Sequence, residues 1–160
     1  MTDLATVTAA IGAATSGVGL IDKIWDQIDR FLEGRSATSL PKEHRQKIER
    51  EGDAIVSKKP DGTVCQRITA EDLKSLPEST LRHVKVLEQS MENHYSIWAT
   101  VYPQLALATD LITKAQNEQR LKSIIVDMKS DFDGILQFLL DSGLHLDDHY
   151  MHIRNVIKSL

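Results

Sequence analysis

The sequence predicts a mainly α protein, an antiparallel bundle of about four long helices with a small β-hairpin insert after the first helix. Three observations carry that reading. The run Leu4–Leu32 has apolar residues at Leu4, Val7, Ile11, Ala14, Val18, Ile21, Trp25, Ile28 and Leu32, spaced alternately by three and four. The same alternation returns in three later stretches. Between the first and second stretches, Ala54–Lys58 and Thr63–Ile68 flank Lys59-Pro60-Asp61-Gly62, where Pro presets a turn and Gly accepts positive φ.

A chain of 160 residues suits one domain with a real core, divided here into a long N-terminal helix (1–34), the hairpin insert (46–69) and the remaining helices (77–160). Hydrophobic content of 41% and charged content of 26% place it with folded rather than disordered chains. A net charge of −4 gives no basic face for nucleic acid, so none is expected as a partner. Cys65 is the single cysteine and cannot close an internal bridge, which points to a reducing, cytoplasmic setting. Asp3 stands where a secretory signal carries positive charge, and Thr, Gly and Ser dilute the apolar stretch behind it. Leu4–Ile21 has about the minimum length of a membrane span, but its polar and small residues make it weakly hydrophobic.

In order, the first helix is expected to start at Thr2 or Asp3 and to stop at Gly34, a natural residue just past a helix end. Its halves differ: Leu4–Ile21 carries no charge, whereas Asp22, Lys23, Asp26, Asp29, Arg30 and Glu33 surround the seam beyond it. Arg35–Glu43 reads as a linker. Glu51-Gly52-Asp53 suggests a further turn, which would make Lys47–Arg50 a third strand. Thr69 should cap a short helix through Leu73, with Asp72 placed for a capping box. Pro77 opens the next helix, whose stripe is Thr80, Val84, Leu87, Met91, His94, Trp98, Val101 and Leu105; Pro103 should kink or end it near Tyr102. A helix from Thr109 or Asp110 carries Leu121, Ile125, Met128, Phe132, Ile135 and Leu139 and stops at Ser142-Gly143. The last, from about Asp147, shows Leu146, Tyr150, Ile153, Ile157 and Leu160.

Chemistry is sparse. His145, His149 and His152 follow i, i+4, i+7, with Asp148 beside them; neutral imidazoles four apart on one helical face can share a divalent metal such as zinc. The same stripe adjoins an apolar seam, where a histidine ordinarily packs and hydrogen-bonds. No Glu-x-x-His pair occurs, so the di-iron bundle pattern is missing. His94 sits at a core position, and catalysis there needs a positioned second group that the sequence does not identify. Asp127 and Asp131 are i, i+4 carboxylates, the pattern of a solvated face as much as of a cation site. No phosphate loop or nucleophile elbow is present.

Ser90-Met91-Glu92-Asn93-His94-Tyr95 and Leu146-Asp147-Asp148-His149-Tyr150-Met151-His152, set in a helical frame, resemble phrases of uncharacterised small bacterial helical proteins, which bring no activity with them. The Gly- and Ala-rich opening Ala5–Leu20 resembles the start of HeLo-type cell-death helical bundles, and that resemblance implies an N-terminal segment released to disrupt membranes.

The expected function is a non-enzymatic interaction and oligomerisation module acting through Leu4, Val7, Ile11, Val18, Ile21, Trp25 and Ile28, with a second copy or a helical protein as partner and membrane contact on release. A first helix of about 30 residues spans roughly 45 Å, and shorter neighbours would leave part of its seam for another chain. Deleting residues 1–21 should then give a folded monomer. The alternative is a metal-binding enzyme or sensor built on His145, Asp148, His149 and His152.

Overall fold

A computed structural model describes residues 3–32 and 40–160 of the chain. It is mainly α. Helix α1 spans Leu4–Phe31, α2 Ala70–Leu73, α3 Glu78–Leu107, α4 Leu111–Asp141 and α5 Asp148–Lys158, with strands β1 Lys47–Glu51, β2 Ala54–Lys58 and β3 Val64–Thr69 between α1 and α2.

The caps fall where local chemistry puts them. Asp3 accepts the Thr6 N–H at 2.8 Å, Asp110 accepts that of Thr113 at 2.7 Å, and Thr69 and Asp72 form a reciprocal capping box. At the end of α4, Leu144 N–H reaches the Leu139 carbonyl and Gly143 N–H that of Leu140, with Gly143 at φ +95°. That is a Schellman stop, and it closes the helix at Ser142. The expected glycine stop for α1, Gly34, and most of the linker that follows lie outside the described residues.

The hairpin insert is one strand larger: the Glu51-Gly52-Asp53 turn brings Lys47–Glu51 in as a third strand, giving an antiparallel sheet in the order β1-β2-β3. β2 supplies the apolar face and needs partners on both edges, since two strands alone are marginal in water. Two other expectations need correction. Pro103 does not end α3, which continues one turn to Leu107. A proline removes one backbone donor, and Leu105 packing on the core together with Asn117 Nδ2 at the Gln104 carbonyl (3.5 Å) holds the last turn in place. The remaining helices are also not too short to cover α1, because α3 and α4 run 30 and 31 residues against its 28.

The core lies between α1, α3 and α4, with α5 laid against α4 and the sheet against α1. Trp25, Trp98, Phe132 and Tyr150 are its largest fully buried side chains. A Cβ on Gly17 would sit 2.8 Å from Ile135 Cδ1, so the missing side chain lets α1 pack closely on the Ile135 side chain of α4.

The sheet is tied to the α4–α5 connection by two glutamines. Gln66 gives Nε2–H to the Gly143 carbonyl (2.6 Å) and accepts the His145 N–H (2.8 Å). Gln46 gives Nε2–H to the His145 carbonyl (2.8 Å) and accepts the Asp147 N–H (3.0 Å). Residues 143, 145 and 147 are thus read at alternate positions by side-chain amides, much as a neighbouring strand would read them.

Candidate functional site: the first helix and its anchors

Six of the seven seam residues expected to meet a partner (Val7, Ile11, Val18, Ile21, Trp25 and Ile28) are fully buried within this chain, and Leu4 alone is open, at 55% exposure. The opposite face of the N-terminal half is built from Ala5, Thr8, Ala9, Gly12 and Ser16, which with Lys85 and Glu88 line a shallow groove of about 730 Å³. By length and composition α1 is able to cross a membrane, a test that a core helix passes equally.

Polar anchoring of α1 is uneven. In the uncharged half, Ser16 Oγ–H donating to Glu88 (3.0 Å) is, among the described residues, the side-chain hydrogen bond that crosses to another element. Partial burial pushes the Glu88 carboxyl up, and the Ser16 bond offsets part of that. From Asp22 onward the anchors multiply. Both Asp22 oxygens lie 3.0 Å from the Tyr150 hydroxyl, which donates to them from α5. Asp26 takes Arg45 at 2.8 and 3.3 Å and Lys42 at 3.6 Å. Gln27 Oε1 accepts the Trp98 indole N–H at 2.8 Å.

Burial sets the charges of this region. It pushes the Asp22 carboxyl up to about 6 despite the bond from Tyr150. It also raises the Tyr150 phenol, which the neighbouring Asp22 charge raises further. Asp26 is opposed by burial too, but Arg45 and Lys42 prevail and hold it below the usual carboxylate range. His149, 1% exposed, is driven down to about 4 by burial and by Arg45. Neither ring nitrogen of His149 has a hydrogen-bond partner among the described residues, and its ring lies 4.9 Å from that of Tyr150.

The four residues expected to form a metal site are dispersed. His145 precedes α5 in the extended segment and is exposed, so the i, i+4, i+7 helical face does not form. Asp148 is exposed in the first turn of α5, His149 points into the core, and His152 stands edge-on to Trp25 at 6.1 Å. Among the described residues no group of three or more His, Cys, Asp or Glu side chains is placed to hold a metal ion.

His94 has the second group that the sequence could not identify. Its Nδ1 lies 2.8 Å from Oδ2 of buried Asp131 on α4, and Ser90 Oγ–H donates to the same oxygen at 3.1 Å. A carboxylate can only accept, so Nδ1 carries the hydrogen. The pairing ties α3 to α4. Its one signal in the sequence is a carboxylate at Asp131, directly before the core residue Phe132.

No protein-family model, curated protein or solved structure matches this chain.

Proposed function

We propose that the protein is a non-enzymatic helical interaction and oligomerisation module whose working element is α1. The helix is stored against α3 and α4 and engages a second copy, a helical partner or a membrane when its N-terminal half leaves them. The observation that carries this reading is the unevenness of α1. Residues 4–21 bear no charge and are held by packing plus the Ser16–Glu88 bond, whereas Asp22, Asp26 and Gln27 are each tied to another element. A helix so divided has a hinge-like boundary near Asp22 and a releasable front half.

In this reading the four longer helices form an antiparallel bundle with the sheet inserted after the first. The short α3–α4 connection and the packing of α1 on both helices support that arrangement. The resemblance of Ala5–Leu20 to HeLo-type openings agrees with a releasable N-terminal segment.

Deleting residues 1–21 does not test the proposal, because Val7, Ile11 and Val18 are core and their loss would strip α3 and α4 of cover. A cross-link does. Gly17→Cys with Ile135→Cys in a Cys65→Ser background joins α1 to α4 where Gly17 packs on Ile135. The oxidised protein should lose self-association by light scattering and leakage of dye-loaded anionic vesicles, and reduction should restore both. Equal activity in oxidised and reduced forms would sink the proposal.

A further inference from the structure

At the end of the molecule where α1 finishes, α3 and α4 run on past it and turn through residues 108–110. Leu107, Leu111 and Ile112 stand at this tip 75%, 84% and 73% exposed, three large aliphatic side chains with little apolar cover among the described residues. Beside them is a cavity of about 420 Å³ lined by Arg30 of α1, Lys114 and Lys122 of α4, the aromatic rings of Phe31 and Tyr102, and a single acid, Glu118. Among the described residues none of the three cations has an ion-pair partner. Asp110, an acid in the α3–α4 turn, is occupied in capping α4. In a chain of net charge −4, three cations against one acid is a local reversal of sign.

We infer that this end is a docking site for an anionic phospholipid surface: the tip enters the interface, and Arg30, Lys114 and Lys122 receive a phosphate headgroup in the cavity behind it. The cavity has the charge that a phosphodiester seeks, and each unpaired basic residue at an anionic surface raises partitioning roughly fivefold. The tip is convex, and three side chains fall far short of the roughly 800 Å² that each partner gives to a stable dimer. A lipid surface needs no such complementary area, since aliphatic side chains there need only reach the acyl boundary. The site does not require α1 to leave the core.

The test is co-sedimentation of the full chain with phosphatidylcholine vesicles, with and without phosphatidylserine, alongside titration with inorganic phosphate. The chain should partition onto the serine-containing vesicles only. Leu111→Glu with Ile112→Glu, and separately Lys114→Glu with Lys122→Glu, should each lower partitioning by about tenfold or more, with unchanged near-UV circular dichroism. All four positions are on the surface, so folding is not at stake. The oxidised Gly17→Cys/Ile135→Cys chain should bind as the wild type does; loss of binding there assigns the contact to α1 and overturns the inference while leaving the proposed function standing. Phosphate binding without vesicle binding, or a dimer that the tip substitutions dissolve, would overturn it as well.

Discussion

Asp22 and His149 both contact Tyr150, and their pKa values are displaced in opposite directions. The Asp22 carboxyl is raised from 3.8 to about 6, so the folded chain holds that proton more tightly than the unfolded one. Its contribution is present at acid pH and is lost as pH rises through about 6. His149 is lowered from 6.5 to about 4; its contribution is present above 6.5 and is lost as pH falls toward 4. Between about pH 4 and 6.5 the two oppose each other, and stability from this pair should be nearly flat. Asp22→Asn should uncover the histidine slope, giving a protein that weakens on acidification across that window in urea titrations. For the carboxylate alone the swing is about 1–2 kcal/mol, discounted from roughly 3 because the group is part-exposed. His149→Phe should reverse the tilt. At pH 7 the same change removes two unpartnered buried nitrogens and should raise stability by about 1 kcal/mol, roughly 3 °C in Tm by calorimetry. A loss of stability there would mean that the ring has a polar role.

At the scale of elements, helix ends were legible because capping is local. Asp3, Thr69, Asp110 and Asp147 each act within a few residues of their own position. The docking of the sheet was not legible, since it depends on Gln46 and Gln66 meeting a segment 77 to 101 residues away, and a glutamine in a strand carries no mark of that. His94 could be placed on its stripe but not paired, for the same reason: its partner lies 37 residues on, in another helix. His145 falls outside the helical face that its spacing required because α5 begins three residues later, at Asp148, with Asp147 as cap. Gln46→Ala frees two backbone groups of the connection and should cost about 1–3 kcal/mol in denaturant midpoints, with amide exchange rising first at residues 143–147. Gly19→Ala, where the space is open, should gain about 1 kcal/mol from helix propensity, whereas Gly17→Ala sets a methyl against Ile135 and should lose most or all of that gain in denaturant midpoints. Equal gains at the two glycines would contradict the close approach of α1 to α4.

For the whole molecule, the seam of α1 illustrates what periodicity settles and what it leaves open. Spacing named the face that is buried, residue by residue from Val7 to Ile28, but could not say whether the cover came from this chain or another. The answer depended on the lengths of α3 and α4, and the length of α3 was obscured by Pro103. With the seam covered, interaction through α1 requires that its front half come away while its back half stays tied. Native-state hydrogen exchange reads that division directly. Amides of residues 4–21 should exchange through an opening of clearly lower free energy than those of residues 22–31, with the step falling near Asp22. If all of α1 exchanges together, at the free energy of global unfolding, the front half is an ordinary part of the core and the release account is wrong.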